Sequence, residues 1–331
     1  MRWIPTELHT HTLHSDGRFT VPSLCECAKQ HGLEMIALTD HNTLSGTREL
    51  TDELAAKTIP VIQGIEWTAY YGHMLVLACE EYVDWRETAK SDMDRKMEMV
   101  QKGNGLVGIA HPYAIGSPIC TGCCWEYDVS AWDKVNYIEV WSGEFPSVHR
   151  GRNGRAEEMW QRLLDQGYHL AATYGRDWHV DAEDKAPWGC TYLAVEEITP
   201  SEGMAALRGG RTMVTMGPRP IAEIYDEQTR RELYPGGTVR TGSTLLMHLG
   251  MDMESRQEEW EKFRFVPERA QIVGKGGCVL AETRLEPDAH LRFTAPDSYF
   301  RIIYCGRVMD RSCAIAFTSP YYTAVNARLS L

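Results

Sequence analysis

The sequence contains no apolar run of the length that a transmembrane helix requires, about 20 residues. Its first residues, MRWIPTELHTH, contain no apolar segment long enough for a signal peptide. We therefore expect a cytoplasmic protein that has no membrane as a partner. Basic residues are also in the minority: 34 Lys and Arg stand against 46 Asp and Glu, for a formal net charge of −12. Extended nucleic acid is not an expected partner, because phosphate backbones bind basic surfaces.

The ten cysteines are scattered along the chain, and we expect most of them to be buried free thiols. The exception is the C-x-x-C-C cluster of Cys120, Cys123 and Cys124, within the segment 114–128. These thiols could bind a structural zinc ion, but no second pair of ligands stands at a suitable spacing nearby. Because the segment follows His111 directly, we expect it to be a lid that faces the substrate.

Internal repeats and low-complexity linkers are also missing, and 331 residues are enough for two domains. The alternation of apolar segments predicts strands at 6–11, 35–40, 60–67, 73–79, 105–112, 136–143, 169–177 and 191–197, and helices at 21–32, about 43–57, about 84–102 and 154–167. Alternating strands and helices indicate an α/β domain with a parallel sheet or barrel over residues 1–220. After GPRP (217–220) the pattern changes to short apolar segments between Gly, Pro and Asp. It predicts a small antiparallel β domain over residues 221–331.

Histidines and acids stand where the predicted strands end or begin. The residues of this kind are His9, His11, Asp16, Asp40, His41, Glu66, His73, His111, Asp177 and His179. Residues i and i+2 of a strand point to the same side, so His9 and His11 can bind one ion together. Each residue alone has a structural interpretation, such as a helix cap at Asp40. In a barrel, however, the strand ends meet at one face, and the whole set predicts a metal site there.

The segments ELHTHTLHSDG, ALTDHNT, GIEW, GIAHP and GRDWH resemble, in this order, the motifs of the PHP (polymerase and histidinol phosphatase) metallohydrolases. The later segments ALRGGRTMVTMGPRP and AIAFTSPYY resemble the CehA/McbA-like branch of that superfamily. The resemblance implies a distorted (βα)7 barrel that carries two or three divalent ions. It implies one ion bound by His9, His11, Glu66 and Asp177, a second by Glu66, His73 and His111, and a third by Asp16, His41 and His179.

Three positions depart from the common pattern of these motifs. Glu7 stands where Asp is usual, and we expect it to support the ligands without binding metal. Arg176 replaces a small residue, and Trp178 lies between Asp177 and His179. We expect this cation and this ring to narrow the pocket beside the metals and to favour an anionic group.

The residue types also indicate the chemistry. Mixed imidazole and carboxylate ligands suit Mn, Fe(II) or Zn better than Mg or Ca. Two such ions about 3.5–4 Å apart can hold a bridging hydroxide and polarise an electrophile, which serves hydrolysis of phosphate esters. Asp40 is expected to orient a ligand or carry a proton. His14 is expected either to donate a proton to a leaving group or to be a surface histidine.

A phosphate ester needs cationic partners beside the metals. Candidates are Arg176 and the segment HRGRNGR, which contributes Arg150, Arg152 and Asn153. This segment opens a predicted helix at the end of a strand, so its backbone N–H groups can also face an anion. The alternative for each arginine is a solvated surface position.

We therefore predict a metal-dependent phosphoesterase that acts on a small phosphomonoester or phosphodiester. The first alternative is a metal-dependent hydrolase of carbamates, amides or carboxylic esters, which the same site can attack. The second is a non-catalytic metal-binding module, which the complete ligand set disfavours. The sequence does not predict an oligomeric state.

Overall fold

The computed structural model describes residues 1–79, 82–115, 122–143, 151–182, 187–286 and 290–325. The strands in these ranges are β1 (Arg2–Glu7), β2 (Met35–Leu38), β3 (Val61–Ala69), β4 (Gly72–Leu77), β5 (Leu106–Ile109), β6 (Tyr137–Ser142), β7 (Ala171–Gly175), β8 (Cys190–Val195), β9 (Thr212–Thr215), β10 (Arg219–Asp226), β11 (Glu232–Leu233), β12 (Thr238–Arg240), β13 (Thr244–Asp252), β14 (Val266–Gly274), β15 (Val279–Arg284), β16 (His290–Thr294), β17 (Tyr299–Val308), β18 (Arg311–Thr318) and β19 (Tyr321–Ala324). The α-helices are α1 (Val21–Gln30), α2 (Asp52–Lys57), α3 (Met93–Lys102), α4 (Arg152–Asp165), α5 (Pro200–Arg208) and α6 (Gln257–Trp260). None of the described helices is both long and apolar enough to cross a membrane.

The main sheet has the strand order β12-β19-β17-β18-β9-β8-β1-β2-β3-β4-β5-β6-β7. Strands β1, β2 and β3 pair in parallel, and so do β5, β6 and β7. Between these two groups β4 runs antiparallel to both neighbours. The predicted α/β class is confirmed. The sheet is mixed rather than parallel, and a regular (βα)7 count is not confirmed, because β3 and β4 form an antiparallel hairpin with no helix between them.

The two ends of this sheet approach each other and are joined by side chains. Thr191 on β8 accepts a hydrogen bond from the Tyr174 amide of β7 at 2.8 Å and donates to the Tyr174 carbonyl at 3.2 Å. Thr212 on β9 donates to the Ala172 carbonyl of β7 at 2.8 Å. Threonine hydroxyls thus satisfy backbone groups of β7 that have no neighbouring strand to pair with.

Replacing Thr191 with valine should destabilise this closure, because valine keeps the shape of threonine and leaves the buried Tyr174 amide without an acceptor. We expect a loss of about 1–3 kcal/mol in the free energy of unfolding, measured by urea denaturation. The matched control is Thr241→Val, at a partly exposed position outside β7, β8 and β9. If both variants lose the same small amount, these hydrogen bonds do not hold the sheet ends together.

Local chemistry explains where the helices begin. Thr20 caps α1 by accepting the Ser23 amide, and Thr199 caps α5 by accepting the Glu202 amide. In α4 the side chains of Met159, Trp160, Leu163 and Leu164 lie on one face of the helix and are buried.

Two predicted helices are shorter than expected. The helix predicted at 43–57 is divided into a 3₁₀ turn, Ser45–Glu49, and α2, because Thr51 caps a new helix through the Leu54 amide. The helix predicted at 84–102 is confirmed only from residue 93. Before it, the side chain of Asp92 accepts the Ala89 amide and a 3₁₀ turn forms.

The C-terminal part is rich in β-strands, as predicted. Strands β11, β10, β13 and β16 form a separate antiparallel sheet in this order. The main sheet, however, continues across residue 220, because β18 pairs with β9 through Ala316–Thr215 and Phe317–Val214. The division at residue 220 stays a prediction.

Of the cysteines, Cys25, Cys27 and Cys190 are buried free thiols, whereas Cys278 is exposed and others are partly buried. The described cysteines are free thiols as expected, but the expectation that most of them are buried is wrong.

Candidate metal centre

The predicted donors lie at one end of the sheet, where β1, β2, β5 and β7 finish. His9 and His11 follow β1, and the strand predicted to include them ends at Glu7. Glu66 lies within β3, and His73 lies at the start of β4. Because β4 is antiparallel to β3, its first residues lie at the same end of the sheet as the last residues of the parallel strands.

The structure brings all nine predicted donors together in three overlapping groups. Within each group, one ligand atom from every residue lies within 4.8 Å of the others. The groups are His9, His11, Glu66 and Asp177; Glu66, His73 and His111; and His11, Asp16, His41 and His179. These are the three predicted sets, except that His11 belongs to two of them. Their role as metal ligands stays a prediction.

Glu66 is the shared member at the centre and is fully buried. Its Oε1 lies 2.8 Å from His73 Nδ1 and 3.1 Å from His111 Nε2. Its Oε2 lies 2.9 Å from His41 Nδ1 and 3.1 Å from His9 Nε2. Oε2 also lies 3.3 Å from His11 Nε2. Each carboxylate oxygen therefore faces a different set of imidazoles, which is the arrangement that a bridging carboxylate needs.

Two aspartates complete the groups on the outer side. Asp177 Oδ1 lies 3.0 Å from His11 Nε2, and Asp16 Oδ1 lies 3.1 Å from His179 Nε2.

Two of the donor residues have unusual backbone conformations. Asp177 has a left-handed backbone with φ of +57°, and His111 has φ of +24°. Strained backbone of this kind at two donor positions is typical of functional sites.

Hydrogen bonds from outside the donor set orient three of the imidazoles. His9 Nδ1 contacts Glu139 Oε1 at 2.9 Å, and His41 Nδ1 contacts Thr68 Oγ1 at 2.6 Å. His179 Nδ1 lies 2.8 Å from the Asp177 carbonyl oxygen. When Nδ1 carries the proton, the lone pair of Nε2 is left for a metal ion, as in most protein metal sites.

Glu139 is a candidate site residue that our sequence analysis did not single out. It lies on β6, is buried, and its Oε2 accepts the His111 amide at 2.9 Å while Oε1 contacts His9. The sequence contains one feature that points to Glu139. It stands between Ile138 and Val140 in an apolar strand, and a carboxylate buried in such a strand needs a polar partner.

Glu7 has the supporting position that we expected. It is buried, and its Oε1 accepts the amides of His9 at 2.9 Å and Arg176 at 3.1 Å. The carboxylate thereby joins the two chain segments that carry His9 and Asp177.

The centre concentrates opposite charges in a buried volume. Burial alone would raise the pKa of Glu66, but His9 and the other imidazoles outweigh it and hold that pKa well below its usual value. Burial alone would lower the pKa of His9, but the carboxylates of Glu139, Glu66 and Asp177 raise it well above its usual value. Burial also raises the pKa of Glu7 to about 8. The centre thus attracts positive charge, as protons or as metal ions.

Unsatisfied polar atoms show that divalent ions fit this donor set. Among the described residues, six buried atoms of the centre make no hydrogen bond: His9 Nε2, both ring nitrogens of His11, Glu66 Oε2, His111 Nδ1 and Asp177 Oδ1. Buried polar atoms are normally paired, so a cluster of unpaired lone pairs that face one another needs a cation.

Asp40 and His14 have partners in neighbouring loops. Asp40 is buried, and its carboxylate accepts the Thr12 amide at 2.7 Å and the hydroxyls of Thr12 and Ser15. Of the two predicted roles, this geometry favours orientation of the loop between His11 and Asp16. His14 contacts Ser45 Oγ at 2.8 Å and Glu49 Oε1 at 2.6 Å through its two ring nitrogens.

Arg176 and Trp178 both contact an aromatic cluster around Trp188. The guanidinium of Arg176 lies 3.9 Å from the ring centroid of Trp188, and Trp178 is buried in the same aromatic cluster. Trp178 is almost fully buried against Phe19 and Trp188, which gives no support to the prediction that its ring narrows the pocket beside the metals. Arg176 likewise contacts the cluster.

The start of α4 contains two of the predicted substrate residues, Arg152 and Asn153. Asn153 is buried and exchanges two hydrogen bonds of 3.1 Å with the backbone of Ser142, which fastens α4 to the end of β6. Arg152 begins α4 at the same end of the sheet as the metal donors. Arg150 lies outside the described residues. Substrate binding by these three residues stays a prediction.

The predicted lid is described only in part, and Cys120 lies outside the described residues. Its later portion packs beside the centre: the Trp125 amide donates to the Pro112 carbonyl at 2.9 Å, directly after His111. Cys124 Sγ donates to the same carbonyl at 3.4 Å.

Part of the chain is similar in sequence to known proteins. Residues 7–97 match the family model described as the PHP domain. The phosphoribosyl 1,2-cyclic phosphate 1,2-diphosphodiesterase of Eggerthella lenta is 38% identical over 84 residues, which are 23% of this chain and 31% of that protein. An uncharacterised protein of Methanocaldococcus jannaschii, MJ1587, is 29% identical over 128 residues, which are 34% of this chain and 69% of that protein. The chain thus spans about a third of the first of these relatives.

A solved structure shares the overall fold. It is a two-domain protein of Bacteroides vulgatus, described as "containing predicted PHP-like metal-dependent phosphoesterase". Its TM-score is 0.52 at 16% identity, and the match covers 96% of this chain and 95% of that one. Together these similarities support a PHP-like α/β fold followed by a β-rich part.

Proposed function

We propose that this protein is a metal-dependent phosphoesterase that acts on a small, anionic phosphomonoester or phosphodiester. The observation that carries the proposal is the position of Glu66. This fully buried carboxylate lies within 3.3 Å of imidazole nitrogens from five histidines and is shared by two of the three groups of metal-type donors. The similarity to a phosphodiesterase over 84 residues supports the same class of reaction.

The donor set suits two or three ions of Mn, Fe(II) or Zn, since imidazole nitrogens accompany the carboxylates. When bound, such ions lower the pKa of coordinated water and neutralise charge on phosphoryl oxygens. His9, His11, Glu66 and Asp177 would hold one ion; Glu66, His73 and His111 a second; and Asp16, His41 and His179 a third.

The remaining residues of the centre prepare the ligands. Glu139 accepts the Nδ1 proton of His9 and also binds the His111 amide, so both imidazoles keep one orientation. Asp40 organises the loop that ends at Asp16 by accepting from Thr12 and Ser15. Preorganised ligands of this kind reduce the cost of binding ions in the productive arrangement.

A panel of substrates tests the reaction class. We expect the Mn²⁺-loaded protein to hydrolyse p-nitrophenyl phosphate or bis-p-nitrophenyl phosphate, and to lose this turnover after chelation. His9→Ala and Asp177→Asn, purified in parallel, should lack the activity, which excludes a contaminating phosphatase. His248→Ala is the matched control, because this histidine pairs with Glu223 on the separate sheet of β11, β10, β13 and β16.

Other outcomes would contradict the proposal. Turnover of p-nitrophenyl acetate alone would support hydrolysis of carboxylic esters, carbamates or amides instead. Bound metal without turnover of any ester would support a non-catalytic metal-binding module.

Our proposal has three further parts: membership of the CehA/McbA-like branch, a cytoplasmic location, and roles in substrate binding for Arg176, Arg152, Arg150 and Asn153.

A further inference from the structure

A second cluster of metal-type donors lies outside the nine-residue centre. Cys27 Sγ, one ring nitrogen of His31 and one carboxylate oxygen of Asp181 lie within 4.8 Å of one another. Cys27 is on α1, and His31 is the C-cap of that helix. Because residues i and i+4 share one helix face, both side chains reach the same point. Asp181 approaches from the segment that follows His179.

His31 has the hydrogen-bond pattern of a metal ligand. Its Nε2 lies 3.2 Å from Asp181 Oδ1, and its Nδ1 lies 2.8 Å from Glu259 Oε2. An imidazole that binds a metal through one nitrogen almost always donates its other N–H to a carboxylate or carbonyl. Glu259, on α6 of the C-terminal part, has this orienting position.

We propose that Cys27 Sγ, His31 Nε2 and Asp181 Oδ1 form a mononuclear site for a zinc-type ion, with Glu259 orienting His31. A thiolate beside an imidazole selects zinc-type ions over Mg²⁺ and Ca²⁺, which prefer oxygen donors. Three protein ligands leave a fourth tetrahedral position for water, and Asp181 is the exposed member that opens the site to solvent.

The charges around the cluster are mixed. Asp181 and Glu259 are negative, Arg176 and Arg256 are positive, and the hydrogen bond with Glu259 raises the pKa of His31 above its usual value. Burial, with Asp181 nearby, raises the pKa of the Cys27 thiol to about 12. A metal ion must therefore displace this proton when it binds.

The position of Asp181 gives the site a role. Asp181 follows His179 by two residues, so an ion here would fasten the segment that carries Asp177 and His179 to α1 and, through Glu259, to α6. We expect zinc to raise the Tm of the wild-type protein by more than it raises the Tm of Cys27→Ser, since a ligand that binds only the native state stabilises it and the variant lacks one ligand of this cluster alone.

Cobalt provides a readout that the nine-residue centre cannot produce, because that centre contains no cysteine. Co²⁺ added to the full, chelator-treated chain should give the near-ultraviolet charge-transfer absorption of a thiolate–cobalt bond. Cys27→Ser should lose this absorption and bind one metal equivalent fewer. Cys25→Ala is the matched control, since Cys25 is buried on the same helix outside the cluster and its loss should leave the absorption unchanged.

Glu259→Gln separates an orienting role from simple packing: it should weaken Co²⁺ binding about 10–100-fold while the absorption stays the same at saturation. Circular dichroism and Mn²⁺ binding by the nine-residue centre establish that each variant is folded. If the absorption is absent, or persists in Cys27→Ser, the proposal fails and the cluster is only an ion-pair network in which His31 bridges Asp181 and Glu259. None of these readouts depends on phosphoester turnover.

Discussion

Glu66→Gln should lower kcat/KM for phosphoester hydrolysis by at least about 10³-fold and reduce the number of bound metal ions. The carboxylate faces His73 and His111 through one oxygen and His41 and His9 through the other. Glutamine has nearly the same shape but presents an NH₂ group, which cannot bind a metal, to one of these pairs. It therefore disconnects two of the three donor groups. Metal analysis and steady-state kinetics on the same preparations measure both effects.

The matched control for this variant is Glu223→Gln. Glu223 Oε2 also contacts a histidine, His248, at 3.0 Å, but this pair is partly exposed on the separate sheet. We expect unchanged metal content and turnover in the control. If Glu66→Gln keeps its metal content and its activity, Glu66 does not join the donor groups and the proposed centre is wrong.

Glu139→Gln should have the second largest effect, with metal affinity and kcat/KM lowered about 10–100-fold. Glu139 supplies an acceptor for the His9 Nδ1 proton and another for the His111 amide. Glutamine has one acceptor oxygen, so one of these donors must face its NH₂ group. If that donor is His9, the proton shifts to Nε2 and removes the lone pair that a metal needs. Titration with Mn²⁺ measures the loss of metal affinity. A purely structural role of Glu139 would leave this affinity unchanged.

Gly175→Ala is a second variant that acts on the same carboxylate without changing its charge. A Cβ atom at residue 175 would collide with Oε1 of Glu139 and displace it. We expect weaker metal binding here as well. Glu282→Gln, which removes a surface ion pair with Arg269, is the control for general effects of the substitution. Native metal affinity in both Glu139→Gln and Gly175→Ala would show that Glu139 does not position His9.

The donors of the candidate site could be predicted from the sequence because most of them follow or open a strand and because the segments that carry them resemble known motifs. His73 is the least secure of them, because the motif around it is short and its spacing from Glu66 varies. In the structure β3 and β4 form a hairpin, and antiparallel pairing brings His73 to the same end of the sheet as Glu66. Helix bounds were less predictable where threonine or aspartate caps interrupt a charged segment, as at Thr51 and Asp92.

Arg176 and Trp178 show where the linear pattern was insufficient. Both stand beside metal-type residues in the sequence, yet their side chains contact Trp188. The left-handed backbone at Asp177 and the packing against Trp188 decide where these side chains lie, and neither follows from the order of the residues.

The sequence by itself determined the chemical character of this protein: which imidazoles and carboxylates are available, and that they recur at strand ends. The tertiary structure alone decided that Glu139 lies against His9, and that Cys27, His31 and Asp181 converge elsewhere. The physical reason is distance along the chain. Strand and helix periodicity are local properties, whereas contacts such as that between His9 and Glu139, 130 residues apart, depend on how the whole sheet closes.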